Sequence, residues 1–532
     1  MLKMILGFSI LFLLFACEQK QSKPNILFAI ADDATYRHFS AYGCDWVSTP
    51  AFDRVAREGL LFMNAYTPNA KCAPSRASIL TGRNSWELEE LGNHLAFWPE
   101  KYTSFIESLS ENGYQAGYTA KGWAPGDPGM KNGKQRMLTG TRYSTEKNDP
   151  PTSHINSIDY AENFKVFLDS VGDAPFMFWY GSTEPHRSYE FMSGSRLGDK
   201  SISEVNNIPT FFPDNDTIRH DLLDYGFEIE YFDLHLERMI ATLEERGILE
   251  NTIIIVTSDN GMPFPRVKGN AYEYSNHLPL AIMWGKGIEH PGRIIEDYIS
   301  FIDFAPTLLE AAGVSEEASG MAPVSGKSLL PIFDSEAEGD TGLGRDHVLI
   351  GKERHDTGRP NDGGYPVRGI VKGDYLYIRN FEPGRWPAGH PITGYLNTDG
   401  SPTKSWILTQ NREKPVNYYW ELSFGRRGEE EFYDIANDPS CVKNLIYDQS
   451  KSEIISTMRD QLYTELAEQN DPRMKGNGQV FDKYLLTEGE GFFEKFMSGD
   501  SGKTGWVNKS DFETQEFFKI LDQYPMSESK SP

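Results

Sequence analysis

The residues best suited to chemistry are Asp32 and Asp33, Cys72 with Arg76, Lys121, His186, Asp259 with Asn260, and Lys268 shortly beyond them. Asp32, Asp33, Asp259 and Asn260 bring only oxygen ligands, a donor set that selects a hard divalent cation, Ca2+ or Mg2+, over zinc. Three carboxylates gathered at one place would repel one another without that cation. Arg76, Lys121 and Lys268 add positive charge, so metal and cations together would hold a tetrahedral oxyanion. His186 could then protonate a leaving oxygen or nitrogen. This chemistry is hydrolysis of an anionic ester or amide of phosphate or sulfate.

Cys72 opens the stretch Cys72-Ala73-Pro74-Ser75-Arg76-Ala77-Ser78-Ile79-Leu80-Thr81-Gly82, which reads as a strained loop turning into a short helix. Pro74 suits the first turn and Gly82 the position just past the end. A thiol at a helix N-terminus beside an arginine is an anion-attracting place for a reactive group, whereas most free cysteines are inert small core residues. A thiolate would gain little from a hard-metal oxygen site; an oxygen nucleophile is what such a site binds and activates.

The elements that must position these residues alternate between strand and helix. Asn25 to Ile30 is a continuous apolar run ending in Ala31-Asp32-Asp33, as expected of a strand buried on both faces. Thr49 to Gly59 follows as a helix, with Thr49 as N-cap and Pro50 in the first turn. Phe105 to Leu109, Ala161 to Ser170, Tyr225 to Arg246 and Ile302 to Leu309 read as helices; Tyr114 to Ala120, Phe176 to Tyr180 and Thr252 to Thr257 read as strands. In open α/β sheets ligands bind outside the carboxyl ends of the strands, and here those ends carry Asp32 and Asp33, Lys121, His186, and Asp259 with Asn260. Any one of them alone would be an ordinary cap or turn residue. Beyond a Gly-, Ser- and acid-rich junction at Ser315 to Gly344, short alternating runs at Val348, Val367, Tyr375 and Glu431 predict an antiparallel sheet, which an amphipathic helix over Ser452 to Glu468 could cover.

A chain of 532 residues exceeds one ordinary core, and its formal charge of −25 excludes a nucleic-acid or anionic-membrane binder. The apolar run Met4 to Ala16 fits a secretory leader and ends in Leu14-Phe15-Ala16-Cys17, which resembles a bacterial lipobox. The expected layout is a lipoprotein signal over 1–17 with lipidated Cys17, a tether over 18–23, a catalytic domain over 24–344, a smaller domain over 345–470, and an extension over 471–532 with no assignable role. Lipidation would hold the protein in the periplasm or on the cell surface. Cys44, Cys72 and Cys441 are too few for a disulfide scaffold.

Cys72-Ala73-Pro74-Ser75-Arg76, continuing to Thr81-Gly82, resembles the signature of the type I, formylglycine-dependent sulfatases. Ala31-Asp32-Asp33, the Lys121 region, Pro185-His186-Arg187 and Thr257-Ser258-Asp259-Asn260-Gly261 agree with that family in order and spacing, and so does the closing Glu431-Phe432-Tyr433-Asp434. Met262-Pro263-Phe264-Pro265 and Tyr365-Pro366-Val367-Arg368 resemble the heparan N-sulfatase branch. The resemblance implies an alkaline-phosphatase-like α/β domain with a mostly parallel sheet flanked by helices, plus a smaller C-terminal α+β domain with an antiparallel sheet. It implies that a maturation enzyme converts Cys72 to formylglycine, whose hydrate attacks sulfur, with Asp259 as a plausible proton acceptor. Asp32, Asp33, Asp259 and Asn260 would hold calcium together with the modified Cys72. Arg76 would hold the hydrate, Lys121 and Lys268 the sulfate oxygens, and His186 the leaving group.

One departure stands out: the family carries Gly-Lys-x-His at the lysine, and this chain has Ala120-Lys121-Gly122-Trp123. His94 and His38 are the candidates to replace the missing imidazole. For the substrate, a sulfated oligo- or polysaccharide, the sequence offers His94, Arg187, Glu353, Arg354, His355 and Arg368. N-sulfated glucosamine is the first expectation. The rivals are an O-sulfatase for another glycan such as an algal polysaccharide, a phosphonate or phosphodiester hydrolase, and a glycan-binding lipoprotein with a dead site.

Overall fold

The structure, a computed structural model, describes residues 23–500, 504 and 506–524. The expected leader, Cys17 and the tether before Lys23 lie outside the described residues. Strands β1 (Asn25–Ala31), β2 (Leu60–Tyr66), β3 (Gln115–Ala120), β4 (Thr141–Arg142), β5 (Phe176–Gly181), β6 (Thr252–Ser258), β7 (Leu280–Met283) and β8 (Arg293–Ser300) form one eight-stranded sheet. Their order across it is β8-β2-β7-β6-β1-β5-β3-β4, and β7 alone of these strands runs against its neighbours. At the centre Ile26 of β1 lies opposite Ile253 of β6 on one side and Met177 of β5 on the other.

Because side chains alternate along a strand, each apolar run feeds two cores. Leu27, Phe178 and Val256 enter one, and Phe28, Trp179 and Ile255 the other. The helices that cover them are α1 (Pro50–Arg57), α2 (Cys72–Thr81), α3 (Phe105–Glu111), α4 (Tyr160–Val171), α5 (Asp216–Glu245) and α6 (Phe304–Ala311). The first core lies under α1, α4 and α5, and the second under α2, α3 and α6.

Two helix ends differ from the sequence reading. Thr49 precedes α1 but makes no capping hydrogen bond. Its hydroxyl is held by Ser40, and the carboxylate of Asp233 on α5 instead accepts from the Ala51 and Phe52 N–H groups, both at 2.8 Å. The start of α5 lies at Asp216 rather than Tyr225, capped by the Asn215 side chain. Its first turns are polar because Asp221 and Asp224 face loops instead of the core, which hides the apolar period.

The second sheet is antiparallel, in the order β9 (His347–Lys352), β10 (Val367–Lys372), β11 (Tyr375–Asn380) and β12 (Glu430–Asp434). Between β11 and β12 the chain inserts α7 (Pro402–Glu413) and α8 (Tyr418–Phe424), neither of which the sequence reading assigned. One face of this sheet packs on α9 (Ser452–Glu468) through Ile370, Tyr377 and Phe432. Its other face, with Val348, Ile350 and Leu376, meets Tyr66 and Tyr272 of the larger part. The segment after Asp471 packs back onto the protein, with Phe481 against Trp86. Cys44, Cys72 and Cys441 are free thiols.

Candidate active site

The carboxyl ends of β1, β3, β5 and β6 converge on the N-terminus of α2. Helix α2 begins at Cys72 itself and ends at left-handed Gly82 (φ 65°); no residue of the preceding loop is left-handed, so the strain expected before Cys72 is absent. Strain sits instead at Asp33 (φ 75°) and Ala120 (φ 54°), non-glycine residues in left-handed backbone at the ends of β1 and β3. At the end of β5 the chain needs Gly181, because a Cβ there would collide with the Lys121 carbonyl.

Arg76, fully buried, ties these ends together. Its Nε donates to Asp259 at 2.8 Å, and its Nη1 donates to the carbonyls of Lys121 and Gly122 at 3.1 and 3.0 Å. The Cys72 thiol lies 3.6 Å from Asp32 and 3.8 Å from Asp33. Lys121 Nζ donates to Asp32 at 2.7 Å, and Lys268 Nζ donates to Asp33 at 2.6 Å. His186 donates from Nδ1 to the Arg187 carbonyl at 2.7 Å, which leaves Nε2 facing Asp33 at 3.8 Å. All the catalytic and metal candidates named from the sequence therefore meet in one place.

Electrostatics follow from the burial. Burial pushes the Cys72 thiol far above its ordinary value; Lys121 pulls it down, while Asp259, Asp32 and Asp33 push it further up. The encoded thiol is thus neutral. Burial lowers Lys121 and Lys268, but Asp32 in the first case, and Asp33 with Asp399 in the second, hold both ammonium groups above the usual lysine range.

Ligand atoms of Asp32, Asp33, Asp259 and Cys72 lie within 4.8 Å of one another. Asn260 donates from Nδ2 to Asp33 at 2.7 Å and to Asp259 at 2.5 Å, while its buried Oδ1 has no partner. Rotating that amide by half a turn would satisfy the oxygen with a cation between the carboxylates. The donor set fits a hard divalent ion.

Over this cluster opens a pocket of about 410 Å3, walled by Asp32, Lys121, His154, Asn156 and His186. A larger depression of about 650 Å3 lies at the opposite ends of β1 and β5, around Asn25 and Phe176, and holds no comparable cluster.

The substrate candidates divide. Arg187 forms a two-point ion pair with Asp221 (2.7 and 2.9 Å), donates to the Pro263 carbonyl and lies 4.2 Å from the Phe264 ring, so it joins two loops and does not reach for substrate. Arg368 is buried between Asp471 and Glu353, both at 2.7 Å, and Glu353 also accepts from Arg473 at 2.8 Å. Arg354 donates to the carbonyls of Asp482 and Tyr484. Arg187, Arg368 and Glu353 thus have their buried charges matched inside the protein, whereas Arg354 meets only carbonyls and keeps a buried Nε without a partner.

His94 and His355 are different. His94 pairs with Asp356 at 3.0 Å, and the other Asp356 oxygen lies 2.7 Å from Lys71, the residue before Cys72. His355 bonds to Asn69 at 2.7 Å and lies beside Gly269, next to Lys268. His94 Nε2 and His355 Nδ1 are buried without partners. His38, by contrast, sits against the rings of Trp46 and Tyr225, where burial and then Arg37 push it down to about 3. Trp123, at the position of the missing histidine, donates from Nε1 to the Ala73 carbonyl and closes over the first turn of α2.

Asp399 escaped the sequence reading. It accepts from Lys268 at 2.8 Å and its carboxylate lies within 4.8 Å of the His186 and Asp33 ligand atoms. Burial would raise it, yet Lys268 and then His186 hold it below the ordinary range. Its only signal was the turn-like Asn397-Thr398-Asp399-Gly400 in a region without periodicity.

Comparisons with known proteins converge. The human N-sulphoglucosamine sulphohydrolase is 26% identical over 496 residues, covering 87% of this chain and 93% of its own length. A Formosa agariphila ulvan-active sulfatase is 26% identical over 453 residues, with 80% and 71% covered. An N-acetylglucosamine-6-O-sulfatase of Bacteroides thetaiotaomicron is 26% identical over 413 residues, with 60% and 73% covered. A solved structure holding its substrate D-glucosamine-2-N,6-O-disulfate shares the fold, with a TM-score of 0.59 at 20% identity over 85% of this chain and 99% of the other. A family model described as "Sulfatase" matches residues 24–314, the stretch that carries both ends of the Cys72 cluster, and the chain belongs to the sulfatase family.

Proposed function

We propose that this sulfatase releases sulfate from N-sulfated glucosamine in heparin- or heparan-type saccharides. The observation that carries the reading is the setting of Cys72, where a single small group faces three carboxylates, with Lys121, Lys268 and Arg76 each bonded to one of them. Asp32, Asp33, Asp259 and Asn260 would hold Ca2+, or Mg2+, whose Lewis acidity polarises a sulfate oxygen and activates an oxygen nucleophile. Formylglycine, made from Cys72 by a maturation enzyme, supplies that nucleophile. Lys121 and Lys268 would then turn from the carboxylates toward sulfate oxygens, and Arg76 keeps α2 in register with the strand ends. His186 stands at the pocket mouth, where it can deliver a proton to the departing nitrogen. Asp399 fixes Lys268, while Lys71, Asp356 and His94 supply polar contacts for the sugar.

Alignment over nearly the full length of the N-sulphoglucosamine sulphohydrolase supports the N-sulfate choice. Equal identity to the ulvan-active and N-acetylglucosamine-6-O-sulfatases supports a second reading, an O-sulfatase. A panel of N- and O-sulfated saccharides, assayed for free sulfate, separates them; release from O-sulfates alone would sink the first. We also propose lipidation of Cys17 and a periplasmic or cell-surface location, which membrane fractionation of a Cys17→Ala variant tests.

A further inference from the structure

A second pocket, of about 520 Å3, shares no lining residue with the one over Asp32 and His186. Arg359, Arg385, Arg426 and Lys483 stand on its wall against the acids Asp482 and Asp522, so cations outnumber acids here in a chain of formal charge −25. Arg385 pairs with Asp482 at 2.9 Å, and Arg426 pairs with Asp522. Arg359 and Lys483 have no acidic partner among the described residues.

Arg359 is the telling group. It is 2% exposed, donates only to the carbonyls of Trp386 and Pro387, and keeps a buried Nη1 with no partner. Arg426 lies 4.4 Å from the Trp386 ring and also has an unpartnered Nε. A buried guanidinium without a counter-charge is costly, and an anion entering the pocket would offset that cost. Burial and then Arg385 lower Arg359 to about 10, although Asp356 and Asp482 at longer range oppose the shift.

The rest of the wall mixes polar Asn361 and Gln479 with rings. Trp386, Phe518 and His390 offer the kind of surface that receives the C–H face of a sugar ring, while arginine forks match sulfate and carboxylate oxygens. The volume falls within the roughly 300–1,000 Å3 of ligand pockets. Position also matters: Arg359 follows His355 and Asp356 on one segment, and Trp386 and His390 precede Asp399 on another. Pro387 binds the two segments together by accepting from both Lys352 and Arg359 at 2.9 Å.

We propose that this pocket is a second binding site for an anionic saccharide, one that holds a sulfated or carboxylated unit of a polymer while the catalytic cluster works on another part of it. The choice of polymer rests on the reading under Proposed function; the binding does not. The test uses the whole protein carrying Cys72→Ala, titrated with heparin, a sulfated algal polysaccharide, an unsulfated polyuronate and neutral dextran. Lys483→Glu, at an exposed position, and Arg385→Gln should each raise the Kd for the anionic polymers about tenfold, the loss of one charge-assisted contact. In the active protein the same changes should raise KM for polymer and leave kcat/KM for a sulfated monosaccharide unchanged. Failure of the parent to bind any anionic polymer, equal binding of dextran, or variants that bind and turn over polymer as the parent does would each overturn the proposal. Pocket-dependent binding without sulfate release from any saccharide would support the pocket and count against the sulfatase substrate reading.

Discussion

Two buried charge clusters in this protein use the same residue types to opposite ends. Around Arg368, two arginines (Arg368, Arg473) meet two acids (Glu353, Asp471), and no side-chain nitrogen or oxygen of the four is left buried without a partner. Around Cys72, four carboxylates (Asp32, Asp33, Asp259, Asp399) face three cations (Arg76, Lys121, Lys268), with Arg76 Nη2 and Asn260 Oδ1 buried without a hydrogen bond. The first cluster is complete in itself. The second, at formal charges, is one negative charge in excess, which a divalent cation would turn into one positive charge, the sign that holds a monoanionic sulfate ester. Balance and saturation, rather than burial or charge, separate a structural network from a reactive one.

The contrast can be broken in several ways. Cys72→Ala should lower sulfate release by about 10^4- to 10^6-fold, the scale on which loss of a nucleophile is felt, while the unfolding midpoint barely moves. Arg368→Met should do the reverse, costing about 3–5 kcal/mol in urea unfolding by stranding Asp471 and leaving Glu353 with Arg473 alone, with turnover per folded molecule preserved. A fall in kcat without loss of stability in that variant would place Arg368 among the reactive residues. Asp399→Asn frees Lys268 and should reduce kcat/KM about 10^2-fold, whereas Glu353→Gln should leave it unchanged. Adding back Ca2+ after chelation, at a hundred times its Kd, should stabilise the protein by about 2.7 kcal/mol, an effect that Asn260→Ala should weaken and Arg368→Met should not.

A third kind of buried acid sharpens the comparison further. Asp233 has no cationic partner among the described residues and is held by the two N–H groups at the start of α1. Burial raises it from 3.8 to about 7, although those N–H groups oppose the shift. The folded chain therefore keeps a proton on Asp233 that the unfolded chain loses, and stability should decline as pH rises from about 4 to about 7. Unfolding followed across that window should show a shallower slope in Asp233→Asn.

The sequence made the reactive cluster legible because each of Asp32, Lys121, His186 and Asp259 follows a strand, and three of those strands are apolar runs whose ends are easy to find. For Arg368 and Glu353 the ion pairs were not legible, because charge in a sequence carries no sign of whether a partner waits in the fold; Asp471 lies 103 residues away from Arg368. Asp399 and Asp356 were missed for the converse reason: they come from irregular segments, and only the packing of those segments beside Lys268 and Lys71 gives them meaning. The long polar start of α5 and helices α7 and α8 were hidden likewise, their periodicity broken by residues that serve neighbouring loops.

Every residue of α2 is buried, and Cys72 itself is only 2% exposed beneath Trp123 and the ends of the strands. No modifying enzyme can grip the Cys72-Ala73-Pro74-Ser75-Arg76 stretch once the helix has docked. The oxidation of Cys72 proposed above would therefore have to win a race: it would have to happen while this part of the chain is still extended, and each molecule that folded first would be locked into an inactive form. On that proposal the fraction of active enzyme would be decided during biogenesis, by the relative pace of folding and maturation.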